Sequence, residues 1–401
     1  MKRRGGFTLA QTREKFWRGW PAPKERPIKN APAQLCIHAN EYLPHIGFGT
    51  VISQLAIHLD RLGVRVGLTC GRIDESHEKI PEAVKPILGR NCPRGIPTIF
   101  LGSPHATPPR CSDLIWFTMW ETDRIGPVAV KALNRARLVI VPSKFCRDVF
   151  LECGVDRVEI APLGVDTSTF YPLQGLPHDG IFRVGTAGRM HHGGARKGLD
   201  LVAKAFTQAN LPTRAELHIK CWEDDELALP DDPRIIVNRE SLCRAALADW
   251  YRSLDLFVLA THGEGWGLQA LEAMACGVPV AVTNWSGVLD FWDESCGWPI
   301  EYTLEPSTAK VYQQNGGGCW AVPQLGDIVM AMELCSREPQ IERRVNAAAR
   351  AREFPWIRSA KALRGLLVAS ESIPRKPRKP LGENHCEPCQ SKSIQPVEGA
   401  T

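Results

Sequence analysis

The sequence predicts an α/β protein built from two doubly wound domains, and three observations support that prediction. The chain has 401 residues, which exceeds one typical domain and favours two or three. Short β-rich runs alternate with helical segments, the pattern of βαβ units on a parallel sheet. That alternation stops in a loop with Pro and Gly at residues 167–180 and then begins again, so we expect a domain boundary there.

The first domain is predicted over residues 34–167. It opens with a buried strand in QLCIHA, a helix in TVISQLAIHLDRLG that ends at Gly63, and a second strand in VRVGLTC. Further strands are expected in TIFLG, SDLIWFTMW, RLVIVPS and VEIAPLGVD, with a helix in KFCRDVFLECG that Gly154 closes. The loop LPHIGFGT joins the first strand to its helix, and Gly47 and Gly49 there would let the backbone approach a ligand closely.

The second domain is predicted over residues 180–353 and repeats the pattern. Strands are expected in FRVGTAGRM, AELHIKC, RIIVN, LDLFVLATH and VPVAVTN, and helices in GLDLVAKAFTQAN and LADWYRSL. The acidic run EDDELALPDD between two of these strands is interpreted as a solvated loop. Residues 354–370 are predicted to form an amphipathic helix, whereas residues 371–401 lack periodicity, are dominated by Pro and charge, and are predicted to be disordered.

Positive charge is concentrated at the beginning of the chain. The whole sequence carries a net charge of +5, but residues 1–33 carry nine Lys/Arg and two Glu, residues 371–401 carry +1, and the remainder is −3. A basic face typical of nucleic-acid binding is therefore not expected on the body of the protein. The basic arm at residues 1–33 could contact an anionic membrane through its aromatic residues, or it could be a solvated tail whose aromatics pack on the body.

Other features bear on compartment and metal binding. No apolar run approaches the roughly 18–20 residues of a membrane helix, and the start of the sequence has no continuous apolar segment, so we expect neither a membrane span nor a secretory signal. The fourteen scattered cysteines are interpreted as reduced thiols of a cytoplasmic protein. Cys386 and Cys389 form a CxxC pair without a second pair, and no metal site is expected.

The stretch THGEGWGLQALEAMACGVPVAVTN, residues 261–284, places two glutamates around the start of a helix. Alternate glycines would form a tight turn, and the pattern becomes helical from about Trp266 and stops at Gly277. Glu264 would then lie in the turn and Glu272 on the second helical turn. The first N–H groups of this helix are predicted to bind a diphosphate, and the flanking carboxylates to accept hydrogen bonds from sugar hydroxyls, which is the chemistry of a nucleotide sugar.

Basic residues follow another strand of the same domain, in AGRMHHGGARKGLD. Arg189 leaves the strand and Lys197 precedes the next helix, with Arg196 as an adjacent competitor for the role of the lysine. Because ligands bind at the carboxyl ends of parallel strands, these charges are expected at the same edge as Glu264. They would neutralise the phosphates, Arg through bidentate contacts and Lys as a point charge.

These motifs, taken in order, resemble those of retaining glycosyltransferases of family 4, the glycosyl transferases group 1. EGWGLQALEAMACGVPV is similar to their E-x7-E signature, GRMHHGGARKGLDLVAKAF to their Gly-Arg…Lys-Gly motif with an insertion, and VPSKFCRDVFLECGVDRVEIAPLGVDTSTFYP to their interdomain stretch. The resemblance covers residues 34–370. It implies the GT-B fold, in which two Rossmann-like domains face each other across a cleft. It also implies that the helix at residues 354–370, with Trp356, crosses back onto the first domain.

The resemblance further implies roles for individual residues. Glu264 would hold hydroxyls of the donor sugar, and Glu272 would hold the ribose. Arg189 and Lys197 would bind the diphosphate as it leaves, and the base would lie near Asn238 to Leu242. Main-chain groups would contact the donor at six further residues: Gly47, Gly49, Gly265, Trp266, Gly267 and Leu268. No metal or cofactor is required in this fold, because fixed cations and helix amides neutralise the leaving group.

One position departs from the family pattern. Many members carry a histidine after a strand of the first domain, whereas LIWFTMWETDRIG has Trp120 and Glu121 there. Glu121 is taken as a candidate catalytic residue; it and Asp123 could contact the acceptor or the donor, or could cap the helix that follows. Three loop histidines are further candidates, each with the alternative of a solvated loop residue: His45, His191 and His192.

The sequence therefore predicts a hexosyltransferase-type enzyme that moves a sugar, with retention, from a nucleotide-diphosphate sugar to a hydroxyl of a glycan, a lipid or a small molecule. One alternative is a nucleotide-sugar epimerase of the same fold, which would need acid and base carboxylates in the cleft. Another is a non-catalytic nucleotide-sugar-binding protein, which the missing histidine would favour. The expected setting is cytoplasmic glycan biosynthesis, with peripheral contact at the inner membrane face as an option for the basic arm.

Overall fold

Two α/β units are present in the structure, which is a computed structural model. It describes residues 31–44, 46–76, 78–173, 179–189 and 194–370. Each unit contains a six-stranded sheet whose paired strands all run parallel, so the predicted fold class is confirmed. Several predictions fall outside the described residues: those on the basic arm up to residue 30, on the tail with Cys386 and Cys389, and on His45, His191 and His192.

The first sheet consists of β1 (Leu35–Tyr42), β2 (Val66–Ile73), β3 (Thr98–Leu101), β4 (Leu114–Phe117), β5 (Leu138–Val141) and β6 (Val158–Ile160). Their order across the sheet is β2-β1-β3-β4-β5-β6. The central strands β3, β4 and β5 are almost entirely buried, as expected for short apolar strands of a parallel sheet covered on both faces. The helices of this unit are α1 (Gly47–Arg61), α2 (Lys85–Leu88), α3 (Pro127–Leu133) and α4 (Lys144–Glu152).

Local sequence explains where these helices begin and end. Ser143 caps the start of α4, because its hydroxyl accepts a hydrogen bond from the Cys146 amide at 3.2 Å. Gly63 and Gly154 follow α1 and α4 with φ values of +83° and +93°. These left-handed conformations favour glycine, and both residues stand where the sequence predicts a helix to stop.

The second sheet consists of β7 (Phe182–Ala187), β8 (Ala215–Lys220), β9 (Ile235–Asn238), β10 (Leu256–Leu259), β11 (Val280–Thr283) and β12 (Gly297–Ile300). Their order is β12-β11-β10-β7-β8-β9, so β10 and β7 are the two central strands. Three helices connect them: α5 (Leu199–Gln208), α6 (Arg244–Arg252) and α7 (Leu268–Ala275). The segments that follow β7 and β10 therefore emerge side by side at one edge of this sheet.

After β12 the chain makes an excursion that the sequence does not predict. It consists of β13 (Tyr302–Pro306), α8 (Lys310–Gln313) and β14 (Cys319–Pro323), with β13 and β14 paired antiparallel. We name residues 302–323 the bridging segment, because they contact the first unit. Most of β13 is exposed, so it lacks the buried apolar alternation by which a strand is predicted.

The described chain ends with α9 (Leu325–Arg337), α10 (Ile341–Arg352) and α11 (Trp356–Ser370). Helix α11 returns to the first unit, where Arg364 Nη1 donates to the carbonyl of Leu62 at 3.2 Å. It begins two residues later than predicted, because the Phe354 carbonyl accepts a hydrogen bond from the Val165 amide at 2.8 Å. Within the described ranges, no helix combines the length and apolar character needed to cross a membrane.

Candidate functional site

The turn between β10 and α7 carries the first glutamate of the predicted site. Gly267 has a φ of +100° and caps α7, so the helix begins at Leu268 rather than near Trp266 as predicted. The Trp266 side chain packs into the core, with ring centroids 5.1 Å from Phe291 and 5.8 Å from Phe354. Only the main chain of Trp266 is therefore available to a ligand.

The main chain of Glu264 is fixed by a neighbouring loop. Its amide donates to Ser286 Oγ at 3.0 Å, and its carbonyl accepts from the Gly287 amide at 2.9 Å. Ser286 has a φ of +73°, and it is the one non-glycine residue with a positive φ in the described part of the chain. This left-handed serine was missed in the sequence, because its conformation depends on the contact with Glu264 rather than on local propensity.

A buried cluster of charges surrounds the Glu264 carboxylate. Lys197 Nζ lies 2.6 Å from Glu264 Oε1, and Arg196 Nη1 lies 3.3 Å from the same oxygen. Arg196 Nη1 also donates to the carbonyl of Gly263 at 2.5 Å, and Lys197 Nζ donates to Gln269 Oε1 at 3.4 Å. The side chains of Lys197 and Glu264 are only 12% and 10% exposed, so solvent screens their attraction weakly.

Gly198 allows the two cations to approach the turn. It has a φ of +61°, and a Cβ atom at this position would overlap the carbonyl of Ala260. The His262 amide donates to the carbonyl of Arg196 at 2.8 Å. The short 3₁₀ turn at Gly194–Lys197 therefore packs directly on the end of β10.

Opposite charges in this cluster shift the pKa values of their neighbours. Burial acts to raise the pKa of Glu264, but Lys197 and Arg196 outweigh it, and the pKa lies below its ordinary value. Burial lowers the pKa of Lys197, and the attraction of Glu264 offsets only part of that shift. Burial also acts to lower the pKa of Arg196, but Tyr312, Glu264 and Glu121 outweigh it and raise the pKa. Glu264 and Arg196 are thus held in their charged forms.

The second glutamate has a cation of its own. Arg244 Nη2 donates to Glu272 Oε1 at 2.7 Å, and the Tyr251 hydroxyl donates to Glu272 Oε2 at 3.4 Å. The Arg244 guanidinium lies 4.6 Å above the Phe170 ring. The segment Asn238 to Leu242, where the base is expected, leads almost directly to Arg244. Arg244 could not be identified from the sequence, because this first residue of α6 belongs to no motif.

The first residues of two helices, one from each unit, lie close together. A Cβ atom on Gly47, the first residue of α1, would lie 3.9 Å from Leu268 Cδ1, at the first residue of α7. Neither helix has a side-chain cap or an acidic residue in its first turn. A Cβ atom on Gly49 would instead overlap the carbonyl of Leu43, so Gly49 is needed for packing of the loop. Gly47 is the glycine of this loop that faces the second unit.

Arg189 follows β7, but the structure does not bring its guanidinium to Glu264. The guanidinium lies 4.9 Å above the ring of Trp222, which follows β8. Its Nε is buried and has no hydrogen-bond partner among the described residues. Of the two expected phosphate-binding cations, Lys197 contacts Glu264, whereas Arg189 lies further along the same sheet edge.

The loop after β4 carries Glu121 to the boundary between the units. Glu121 Oε2 accepts a hydrogen bond from the Tyr312 hydroxyl at 3.1 Å. Trp120 is buried, and its ring lies 4.9 Å from that of Tyr312, so it is a packing residue. Asp123 accepts from the Cys319 amide at 2.6 Å, and Gly126 precedes α3 without any side-chain cap. The alternative in which Glu121 and Asp123 cap the following helix is therefore wrong.

The two α/β units, with the charged cluster beside the start of α7, define a protein of the GT-B fold. Residues 181–307, which include Arg196, Lys197 and both predicted glutamates, match the family model described as glycosyl transferases group 1. The resemblance predicted from the motifs is thereby confirmed for this part of the chain.

Curated relatives match part of the chain. The D-inositol 3-phosphate glycosyltransferase of Paenarthrobacter aurescens (strain TC1) is 30% identical over 157 residues, which are 33% of this chain and 36% of that protein. The lipopolysaccharide core biosynthesis mannosyltransferase LpsB of Rhizobium meliloti (strain 1021) is 34% identical over 146 residues, which are 30% of this chain and 39% of that protein. The chain thus spans less than two fifths of the length of these curated relatives.

Solved structures match over a longer stretch. Sucrose-phosphate synthase from Thermosynechococcus elongatus superposes with a TM-score of 0.59 at 16% identity, covering 84% of this chain and 100% of that one. HepE from Anabaena, solved in complex with UDP and glucose, has a TM-score of 0.57 at 14% identity and covers 84% and 99%. At such identities the likeness shows the shared fold.

Proposed function

We propose that this protein is a retaining glycosyltransferase that moves a sugar from a nucleotide-diphosphate sugar to a hydroxyl acceptor. One observation carries the proposal: the buried cluster of Glu264, Lys197 and Arg196 lies beside the start of α7, which is close to the start of α1. The first N–H groups of two neighbouring helix starts suit an anion such as a diphosphate. HepE has been solved in complex with UDP-glucose, which supports a nucleotide sugar as the ligand class.

Each charged residue has a role in the proposed complex. The diphosphate lies between the helix starts, and Lys197 neutralises part of its charge. Arg189, at the same sheet edge, supplies a second cation. Glu264 accepts hydrogen bonds from hydroxyls of the transferred sugar, and Glu272 accepts them from the ribose while Arg244 holds its carboxylate. The two glutamates thereby bind the sugars on either side of the diphosphate.

The proposed reaction needs no strong general base from the protein. The bond between the anomeric carbon and the diphosphate oxygen breaks, and the acceptor oxygen forms a new bond to that carbon on the same face of the sugar. The acceptor proton passes to the departing phosphate oxygen, and a nucleoside diphosphate leaves. The contribution of the protein is positioning and stabilisation of the negative charge that develops on the leaving group, by Lys197, Arg189 and helix N–H groups, with no metal ion or cofactor included.

A donor-binding screen tests the proposal. We expect a nucleotide sugar among UDP-glucose, UDP-N-acetylglucosamine and GDP-mannose to raise the Tm of the wild type, because a ligand that binds only the folded state stabilises it. In Glu264→Gln, the part of the Tm increase that comes from binding of the sugar should be lost. Glu294→Gln, at an exposed position of the same domain, is the matched control and should behave as wild type. No shift with any of these donors would contradict the proposal.

Donor consumption separates this function from the alternatives. A transferase releases nucleoside diphosphate, an epimerase alters the sugar without releasing it, and a binding protein does neither. The relatives described above are named as glycosyltransferases, and none of the site residues that the structure describes favours epimerisation. Release of nucleoside diphosphate by wild type, but not by Glu264→Gln, would exclude the binding protein. Absence of any hydrolysed or epimerised sugar product when no acceptor is present would exclude the epimerase.

A further inference from the structure

The bridging segment is hydrogen-bonded to the loop that follows β4 in the first unit. Asp123 makes two bonds with Cys319: its amide donates to the Cys319 carbonyl at 3.0 Å, and its carboxylate accepts from the Cys319 amide at 2.6 Å. The Gly126 amide donates to the carbonyl of Asn315 at 2.9 Å. A segment of the second unit is thus fixed to the backbone of the first unit beside Glu121.

Glycines of the sequence NGGGC make this close docking possible. Gly316 and Gly318 have φ values of +110° and +98°, which favour glycine. A Cβ atom on Gly316 would overlap the amide of Gly126, and one on Gly318 would lie 2.8 Å from Asp123 Oδ1. The bridging segment can therefore follow this path only with glycine at these positions, and its contacts with the first unit fix the location of α8.

That location holds Tyr312 rigidly next to Glu121. Tyr312 is 4% exposed, and its ring makes edge-to-face contacts with Trp120 and Trp320 at centroid distances of 4.9 and 6.0 Å. Its hydroxyl donates to Glu121 Oε2 at 3.1 Å. Burial raises the pKa of Tyr312, and the charge of Glu121 raises it further, so the hydroxyl keeps its proton and remains a donor.

The loop of Glu121 rests on the turn that carries the predicted donor-binding residues. A Cβ atom on Gly263 would overlap the carbonyl of Glu121, and one on Gly265 would lie 2.6 Å from Met119 Cβ. Glu121 is also close enough to Arg196 to contribute to raising its pKa. The loop that carries Glu121 thus packs from the first unit onto the turn that carries Glu264.

We propose that Tyr312 is a positioning residue: its hydroxyl holds the Glu121 carboxylate where that carboxylate accepts a hydrogen bond from a hydroxyl of the transferred sugar. The proposal rests on the proposed function, since it assigns a contact within the same donor site. Glu121 touches the sugar, whereas Tyr312 acts only through Glu121. The bridging segment then contributes to the sugar-binding part of the site, and it also connects the two units.

The test compares the affinities of a nucleotide sugar and its nucleoside diphosphate. Calorimetric Kd values are measured for UDP-glucose, UDP-N-acetylglucosamine and GDP-mannose, and for UDP and GDP. In Tyr312→Phe and Glu121→Gln we expect the nucleotide sugar to lose roughly three- to tenfold in affinity, as for one lost hydrogen bond, while the Kd of the nucleoside diphosphate changes by less than about twofold. Tyr302→Phe removes a hydroxyl from the same segment and should leave both values unchanged.

The double variant Tyr312→Phe/Glu121→Gln tests whether Tyr312 works through Glu121. If it does, the double variant loses no more affinity for the nucleotide sugar than Glu121→Gln alone. Additive losses would overturn the proposal, since Tyr312 would then act by another route. The Tm of each variant, compared with Tyr302→Phe, shows whether the fold is retained.

The outcomes distinguish this inference from the proposed function. Unchanged Kd ratios in Tyr312→Phe and Glu121→Gln, together with donor binding by wild type, would overturn the role of Tyr312 and leave the donor site standing. Failure of wild type to bind any of the three nucleotide sugars would overturn both. An equal loss for the nucleotide sugar and the nucleoside diphosphate would also overturn the inference, because it would place Glu121 at the phosphates.

Discussion

Lys197 Nζ and Glu264 Oε1 lie 2.6 Å apart although 67 residues separate them in the chain. The pair joins the segment after β7 to the turn after β10, and both side chains are almost fully buried. It therefore contributes to stability and to the proposed site at once. Removal of either side chain leaves the other one buried with its charge less well paired. Variants of this pair therefore need measurements of both stability and donor consumption.

Lys197→Ala is expected to lower donor consumption by about 10²- to 10³-fold, because a cation aimed at the leaving phosphate acts mainly in the transition state. The free energy of unfolding should fall by about 3 kcal/mol or less, since Arg196 still faces Glu264. Release of nucleoside diphosphate and urea unfolding check the two expectations. Lys204→Ala, at an exposed position of α5, is the control. If Lys197→Ala consumed the donor as fast as wild type, Lys197 would not be part of the site.

Acid should weaken the contribution of Glu264 to stability. Its pKa in the folded protein is lowered by Lys197 and Arg196 despite burial, so its unfolded pKa is the higher of the two. The group then stabilises the fold fully above the unfolded pKa near 4.5, and the contribution is lost as the pH falls through the folded pKa. The difference in unfolding free energy between wild type and Glu264→Gln should be constant from about pH 7 to pH 6 and shrink below about pH 4.5. A difference independent of pH would show that Glu264 is not ion-paired.

Arg244→Leu is expected to weaken binding of a nucleotide sugar and of its nucleoside diphosphate equally, by roughly tenfold, because Arg244 holds the Glu272 carboxylate, which in the proposed complex binds the ribose. The ratio of the two Kd values should stay unchanged, in contrast to changes at the sugar end. Calorimetry with UDP and UDP-glucose, or GDP and GDP-mannose, measures this ratio. Arg337→Leu, on the exposed part of α9, provides the control. A loss confined to the nucleotide sugar would place Arg244 elsewhere.

Gly47→Ala should reduce donor affinity, whereas Gly49→Ala should reduce the stability of the fold. A methyl group on Gly47 meets only Leu268 Cδ1, at 3.9 Å, so the fold should tolerate it, but the group projects between the two helix starts and should reduce donor affinity. On Gly49 the methyl group would overlap the carbonyl of Leu43, which should cost about 2 kcal/mol of stability. Thermal unfolding and donor titration of both variants check this pair. Equal losses of stability would mean that Gly47 serves packing alone.

Features that depend on local sequence could be predicted. Buried apolar runs such as TIFLG and VPVAVTN indicated the central strands of both sheets, because a parallel strand covered on both faces has no polar side. Glycines at helix ends, such as Gly63 and Gly277, marked boundaries because their left-handed conformation is a property of the residue itself. The bridging segment was missed, since its exposed first strand and one-turn helix are held by contacts with the first unit.

For the site, the sequence by itself determined which residues stand at the ends of β7 and β10, because strand and helix periodicity places them there. Only the tertiary structure decided their partners. Lys197 and Arg196 meet Glu264, Arg189 lies over Trp222, and Glu272 pairs with Arg244. The physical reason is that pairing of buried charges depends on distances of a few ångströms between strands far apart in the chain, and such distances are set by packing of the whole fold.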